Sequence, residues 1–276
     1  MPIYYLRKVL GHIHFGFFWG VFLKITSIYR YPVKSLSGEA MARAELVPGI
    51  GIPGDRAFAF AKSAGPASGD GTIRGGEWRD KSAFHVLATE PRLGLIMCRF
   101  DGGLGSVSLT FPNGSTAQAS VPDQTAAKSM GEMVGNFLGL AKRDAPILVH
   151  ARKVGFFDTL EGEISILNLA SLRELEKVAG TKIDPLRFRP NIIMDGIPAW
   201  EELSWAGKSA KLGSAGLNFT KPTGRCLATH ANPETGERDI KTMHLLKENF
   251  NHTQMGVYAR VAAGGEIARG ETLNFS

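Results

Sequence analysis

The chain has 276 residues, 43% of them hydrophobic and 21% charged, which is ordinary for a globular protein of one or two domains. Its two cysteines are too few for a disulfide scaffold or for an iron–sulfur cluster held by thiolates, so we expect a reducing, cytoplasmic location and, for any redox activity, an external electron donor. The net charge of +6 is too weak and too scattered to indicate nucleic-acid binding.

Residues 1–23 differ from the rest of the chain because they are aromatic, apolar and free of acidic side chains. The apolar stretch from residue 9 to residue 23 is shorter than the ~20 residues that span a bilayer, and no small-x-small cleavage site follows it. It could be a weak membrane anchor, a poorly packed extension, or translation upstream of the real start. We favour the last, with Val21 as the start, because a regular strand pattern follows at once.

The first half is predicted to consist mainly of strands. Alternating side chains predict a strand over residues 23–31, which Pro32 ends. Further strands are predicted over residues 40–47, 56–61, 93–99 and 107–111, with a Gly- and Ser-rich loop at 65–76. An apolar face at helical spacing predicts a helix over residues 126–138, which closes this half.

The second half is predicted to open with a strand at 146–150. Asn168 is a suitable N-cap for a helix over Leu169–Ala179 that Gly180 ends, with Leu169, Leu172, Leu175 and Val178 pointing inward. The C-terminal segment predicts a strand, a Gly-Gly turn and a second strand in a hairpin. Short strands with frequent glycine and proline indicate a mostly β fold with a few helices, in two parts that meet within residues 140–150.

Cys226 is the residue with the most chemical potential, because it lies between two turn sequences and follows Arg225, whose charge favours the thiolate. A thiolate is a soft ligand for a sulfur-binding metal. From composition alone, a small buried hydrophobic role is the commoner outcome for a free cysteine. A zinc site with His230, and a nucleophile pair with His230 as the base, are weaker alternatives.

Five motifs in order resemble those of the MOSC family, in particular the amidoxime-reducing components and their bacterial homologues. They are YPVKS at 31–35, GDR at 54–56, FRPN at 188–191, TGRC at 223–226 and NPETG at 232–236. The resemblance runs from about residue 23 to the end. It implies an α+β, mostly β protein with an N-terminal MOSC-associated β-barrel domain at 24–145 and a MOSC β-barrel domain at 146–276, after the extension at 1–23.

The resemblance also implies a molybdenum–pyranopterin cofactor, with Cys226 as the catalytic residue and the protein's ligand to the metal. A pyranopterin phosphate is a dianion on a donor-rich ring, which basic side chains and amides recognise. The family's general description adds pyridoxal phosphate binding. The residues implied to contact the molybdenum cofactor are Lys34, Ser35, Arg56, Asn168, Ser171, Arg189, Asn191 and Arg225.

The function implied is reduction of N-hydroxylated or related N–O or S–O small molecules, with electrons from a ferredoxin- or cytochrome b5-like protein. One alternative is a sulfur carrier that uses a persulfide on Cys226 for cluster or cofactor assembly, and another is a carrier that binds the cofactor without reducing anything. Residues 80–91 read DKSAFHVLATEP, where relatives carry a Thr- and Arg-containing run. The substrate-facing residues are therefore not transferred from the family.

Overall fold

A computed structural model describes residues 23–62, 81–103, 105–120, 123–151, 155–159 and 162–276. Residues 1–22 of the expected extension and the predicted loop at 65–76 lie outside these ranges. Among the described residues, no helix combines the length and the hydropathy needed to cross a membrane.

The prediction of a mostly β fold with a few helices is confirmed. The helices are α1 (Gln124–Leu138), α2 (Leu169–Ala179) and α3 (Thr242–Phe250). The strands are β1 (Lys24–Arg30), β2 (Glu39–Met41), β3 (Arg43–Leu46), β4 (Phe58–Ala61), β5 (Met97–Asp101), β6 (Ser106–Thr110), β7 (Thr116–Ser120), β8 (Ile147–His150), β9 (Ile164–Asn168), β10 (Ile192–Asp195), β11 (Ser209–Leu212), β12 (Ala215–Gly224), β13 (Gln254–Ala263), β14 (Gly265–Ala268) and β15 (Leu273–Phe275).

The largest sheet joins both ends of the chain. It has eight strands in the order β15-β11-β12-β13-β9-β10-β1-β2. Strand β1 pairs antiparallel with β10, with Ile28 opposite Ile192, and β10 runs parallel to β9, with Ile192 opposite Ile166. The inward side chains of these strands form one buried apolar cluster. Strand β1, the first in the described residues, is therefore a structural part of the second half.

Three smaller sheets contain the remaining strands, and two of them pair a strand of the first half with one of the second. They are β5-β6-β7, β4-β8 and β14-β3. Helix α1 packs Met130 and Val134 into the cluster that β4, β5, β6 and β8 share. A separate cluster lies under α2 and α3, where Leu172, Leu175 and Leu246 meet. The segments between these cores carry the candidate site.

Local signals correctly predicted α2. The Asn168 side chain accepts a hydrogen bond from the Ala170 N–H at 3.0 Å, and Gly180 takes the left-handed conformation with φ 66°. Helix α1 also forms close to its predicted range. Val178, however, is 39% exposed, so its predicted inward orientation is wrong.

Two strand predictions need correction. Residues 93–99 begin as a 3-10 helix at Pro91–Leu95, because proline favours the first turn of a helix, and β5 starts only at Met97. The C-terminal hairpin does not form, since β13 already has β12 and β9 as its neighbours. Strand β14 pairs instead with β3, with Gly265 opposite Leu46.

Candidate functional site

A cleft lies between the two halves, with about 900 Å³ of empty space when the open solvent at its mouth is included. Both halves contribute to its lining, and so do most of the residues predicted from the sequence. Those that line it are Lys34, Ser35, Arg56, Arg189, Asn191, Arg225 and Cys226.

Three of these residues have an unusual backbone conformation. Ser35, Arg56 and Arg189 have φ values of 71°, 52° and 49°. These lie in the left-handed region, which residues other than glycine rarely adopt. The backbone N–H of Arg56 donates to the Tyr31 carbonyl at 2.6 Å, and that of Arg189 donates to the Leu186 carbonyl at 3.0 Å. Backbone strain of this kind is concentrated at binding sites, where the surrounding structure holds it in place.

Asp55 organises the basic end of the cleft. Its side chain is fully buried and accepts hydrogen bonds from the Tyr31 N–H at 2.7 Å, from Asn191 Nδ2 at 2.9 Å and from Arg56. The Asn191 Oδ1 atom accepts from the Ser165 N–H at 3.1 Å. The Asn191 amide is therefore committed to protein partners, and its role is to position the Arg56 region.

Two arginines stack on one aromatic ring at this end. The guanidinium carbons of Arg56 and Arg189 lie 4.9 Å and 4.3 Å from the centre of the Tyr31 ring. Arg189 donates to the Leu36 carbonyl, but its Nη2 atom is buried without a hydrogen-bond partner. Burial lowers the pKa of Arg189 to about 10, so the group stays charged at neutral pH and an anion beside it would be stabilising.

Lys34 is the third cation at this end, and its side chain is 11% exposed. Its Nζ atom donates to Asp158 Oδ1 at 2.7 Å and to the Phe156 carbonyl at 2.9 Å. Burial lowers the pKa of Lys34, and the Asp158 carboxylate partly offsets that effect. Lys34 is thus held at a fixed place on the cleft wall.

The donors of the cleft fit a phosphorylated pterin. Six basic side chains line the described part of the wall against two acidic ones. Four polar atoms of lining residues are buried without a hydrogen-bond partner, and these are Thr159 Oγ1, Ser165 Oγ, Arg187 Nε and Arg189 Nη2. Since an unpaired buried polar group costs ~1–3 kcal/mol, these atoms indicate a polar, anionic ligand. The residues present therefore fit the molybdenum–pyranopterin cofactor.

Cys226 is a free, partly buried cysteine on the cleft wall. It caps the 3-10 helix Leu227–His230, and its carbonyl accepts from the Thr229 N–H at 3.1 Å and the Thr229 hydroxyl at 3.0 Å. The Arg225 side chain donates to the Phe188 and Met255 carbonyls, each at 2.8 Å. Burial lowers the pKa of Arg225 to about 10. Cys226 is therefore fixed between two anchored neighbours.

His230 is not arranged as a base for Cys226. It does not line the cleft, and its Nε2 atom accepts a hydrogen bond from the Met243 N–H at 3.4 Å. Within the described ranges, no group of three or more His, Cys, Asp or Glu side chains is placed to hold a metal ion. The structure therefore gives no support to the nucleophile pair or to the zinc site with His230.

Asn168 and Ser171 also lie away from the cleft lining, which corrects their predicted placement. Asn168 Nδ2 donates to Glu202 Oε2 at 2.9 Å, and the Ser171 hydroxyl donates to Glu202 Oε1 at 2.7 Å. Glu202 is fully buried, and burial raises the pKa of its carboxyl group. These polar groups satisfy one another at the start of α2, so we assign them to anchoring that helix.

Several lining residues were missed by the sequence reasoning. Glu163 lies just before β9, Ser165 lies in β9 and Tyr258 lies in β13, and all three line the cleft. They belong to no motif, so no sequence signal distinguished them. Asp55 does stand inside the GDR motif, and its charge beside Arg56 could have indicated a buried pair.

The fold is mostly β and has two parts, and a basic cleft with one cysteine on its wall lies between them. Comparison with known families identifies the class of protein that shares these features. The MOSC N-terminal beta barrel domain model matches residues 22–145, and the MOSC domain model matches residues 149–274. The chain belongs to the MOSC-domain family, with an N-terminal MOSC β-barrel domain followed by a MOSC domain.

Among curated proteins, the chain is similar to two proteins named mitochondrial amidoxime-reducing component 1. It is 23% identical to the Homo sapiens protein over 247 residues, which cover 77% of this chain and 67% of that protein. It is 33% identical to the Mus musculus protein over 76 residues, covering 28% of this chain and 22% of that protein. A solved structure, the YUAD protein from Bacillus subtilis, matches with a TM-score of 0.45 at 14% identity, covering 91% of this chain and 93% of that one.

Proposed function

We propose that the cleft binds a molybdenum–pyranopterin cofactor, with Cys226 as the protein's ligand to the metal. The protein would then reduce N-hydroxylated or related N–O or S–O small molecules with electrons from a ferredoxin- or cytochrome b5-like partner. The observation that carries this proposal is the convergence of Cys226, Lys34, Arg56 and Arg189, from four separate segments, on one basic cleft. When bound, the cofactor supplies two-electron redox chemistry.

The basic end would hold the phosphate and the pterin. Lys34, Arg56 and Arg189 carry fixed positive charges, and Ser35, next to Lys34, lines the same cleft in a left-handed backbone conformation. A hydrogen bond to a charged group contributes ~1.5–3 kcal/mol. Because Asp55 and Tyr31 already hold the Arg56 side chain, little conformational entropy is lost when an anion binds.

The Cys226 end would face the substrate. Val86, Leu87 and Ala88 line the cleft, and Leu87 packs in the same apolar cluster as Ala228, two residues after Cys226. The Arg238 side chain donates to the Ala88 carbonyl, which ties this wall to the segment that follows Cys226. An apolar wall excludes water from the reacting end and favours uncharged organic substrates.

The name of the human and mouse relatives, amidoxime-reducing component, supports a reductase over the sulfur-carrier alternative with a Cys226 persulfide. The two possibilities differ in what the cysteine carries. A persulfide would add one sulfur to the mass of the Cys226 peptide in protein without bound metal. Finding that mass on metal-free protein would favour the sulfur carrier and contradict our assignment.

The experiment uses the full chain made in a host that synthesises the molybdenum cofactor. Molybdenum, pterin content and amidoxime reduction by a chemical electron donor are measured on the same sample. Cys226→Ala should abolish turnover and lose or alter the metal's coordination, whereas Cys98→Ala, a change in a buried thiol outside the cleft, should retain both. Full turnover with retained molybdenum in Cys226→Ala would refute the assignment. Lys34→Ala and Arg56→Ala should each weaken cofactor retention by ~1.5–3 kcal/mol per lost charge-assisted hydrogen bond.

A further inference from the structure

One carboxylate of the cleft has a poorly satisfied environment. The Glu163 side chain is 3% exposed, and its Oε1 atom lies 3.7 Å from Arg260 Nε, which is beyond hydrogen-bonding distance. Its ion pair with Arg260 is thus a long one, with an arginine side chain that is 52% exposed. A buried carboxylate is stabilised by hydrogen-bond donors, and Glu163 lies on the cleft wall, where a ligand can supply them.

A second polar group lies on the same face of the sheet. Residues 163 and 165 are two apart along an extended segment, so their side chains point to one side. The Ser165 hydroxyl lines the cleft and is buried without a hydrogen-bond partner. Tyr258, opposite Ser165 on β13, lines the cleft as well. This face therefore presents a carboxylate and two residues with hydroxyl groups rather than cations.

The other acidic residue of the cleft, Asp158, is already engaged, because its carboxylate is bound to the Lys34 ammonium group. Glu163 has a longer and weaker ion pair, at 3.7 Å with Arg260, so of these two carboxylates it is the one that can bind a ligand. The cleft demands a ligand with two different ends. One end carries negative charge for Arg56 and Arg189, and the other carries hydrogen-bond donors for Glu163.

We propose that Glu163, assisted by Ser165, binds the donor edge of an aminopyrimidinone ring. In such a ring the exocyclic amino group and the adjacent ring N–H point in parallel, and the two oxygens of a carboxylate accept both. Pterins and guanine share this edge. The inference rests on the proposed function, because it assigns to Glu163 the recognition of the pterin ring of the cofactor.

The test compares ligands that differ only at this edge. The full chain is purified from a host that does not make the cofactor, and the dissociation constants of pterin and of lumazine, which has an oxo group in place of the amino group, are measured by ligand fluorescence. The wild-type protein should prefer pterin by about tenfold. Glu163→Gln should reduce that ratio to near one with lumazine binding unchanged, because the charge that strengthens both hydrogen bonds is removed.

Two controls make the result specific. Glu266→Gln removes a carboxylate that is 57% exposed and ion-paired with Arg43, and it should leave the ratio at the wild-type value. Ser165→Ala should lower pterin affinity by a smaller factor, and it serves as the readout if thermal unfolding shows that Glu163→Gln does not fold. A guanosine and inosine pair identifies the source of the edge, since tighter binding of guanosine than of pterin would overturn the pterin assignment.

Different results would overturn the role of Glu163 and the proposed cofactor binding. A wild-type ratio in folded Glu163→Gln, together with normal molybdenum and pterin content in protein from a cofactor-producing host, would overturn the role of Glu163 alone. Wild-type protein that acquires neither molybdenum nor pterin in that host would overturn the proposed function itself.

Discussion

Replacing Asp55 with alanine should be among the most destabilising single changes in this protein. The Asp55 carboxylate is fully buried and accepts hydrogen bonds from the Tyr31 N–H, Asn191 Nδ2 and Arg56. Burial alone would lower the pKa of Arg56, but the charge of Asp55 reverses that effect and raises it. Asp55→Ala would therefore leave a buried guanidinium without its counter-ion and the Tyr31 N–H without its acceptor, and Asn191 Nδ2 would keep only the Tyr29 carbonyl at 3.3 Å.

The magnitude follows from the burial of the pair. Removing one partner of a buried ion pair costs ~3–5 kcal/mol, because the other charge is left uncompensated. Asp55→Asn keeps the shape and one acceptor, so it should cost less than alanine. Once Asp55 is alanine, the additional cost of Arg56→Ala should be far smaller than in the wild-type background, since the unpaired charge is removed.

Urea unfolding measures these free energies, with the slope of the transition checked to be the same for each variant. The matched control is Glu266→Ala, which breaks an ion pair with Arg43 whose side chains are 57% and 69% exposed. That pair should contribute ~0–1 kcal/mol. A loss below about 1 kcal/mol for Asp55→Ala, no larger than for the control, would refute the reasoning.

Three further outcomes are expected. Burial raises the pKa of the Cys98 thiol from 9.0 to about 12, so the unfolded chain loses this proton first as pH rises. Relative to a Cys98→Ala variant, the free energy of unfolding should be fully retained below pH 9 and should fall by about 1.4 kcal/mol per pH unit towards pH 12. The same pH dependence of urea unfolding in both proteins would contradict this. Asn168→Ala should lower the free energy of unfolding by ~1 kcal/mol for the lost helix cap and by ~1–3 kcal/mol for the partner removed from buried Glu202. Cofactor content in the folded fraction should stay at the wild-type level. Loss of cofactor without loss of stability would show that Asn168 contacts the cofactor. Arg187→Ala should cost about 2–3 kcal/mol in urea unfolding, because Arg187 bonds both Asp239 and the His230 carbonyl, and a change below 0.5 kcal/mol would show that this tie is not stabilising.

Helix α2 shows which parts of the fold could be predicted from the sequence. Its cap, its apolar face and its glycine stop are local signals within a dozen residues, and all three appear in the structure except for Val178 at the last turn. Strand β9, in contrast, is buried on both faces. A continuous apolar run does not distinguish a strand from a buried helix, so β9 was not predicted.

Strand pairing was harder to predict than strand formation. The segment after the Gly-Gly turn is a strand, as predicted, but it pairs with β3, more than 200 residues earlier in the chain. Turn residues constrain only the nearest partner, and that partner had no free edge. Pairing at long range depends on which edges the rest of the fold leaves open.

The residues of the site also fall into those that local sequence signals predict and those that they do not. Motifs predicted Lys34, Arg56, Arg189 and Cys226, because each follows or flanks a recognisable turn, and the structure brings them to one cleft. Glu163 could not be predicted, since an isolated acidic residue before a strand resembles any surface charge. Only its burial, which is a property of the folded chain, separates it from the others.

The position of β1 limits how this protein can be divided. A fragment that starts after residue 145 would lack β1 and β2, so β10 would become an open edge with unsatisfied N–H and C=O groups along its length. Such edges recruit strands from other molecules and lead to aggregation. Producing the C-terminal portion by itself in soluble form would require grafting residues 23–41 onto it, for instance through a circularly permuted gene that restores the missing neighbour of β10.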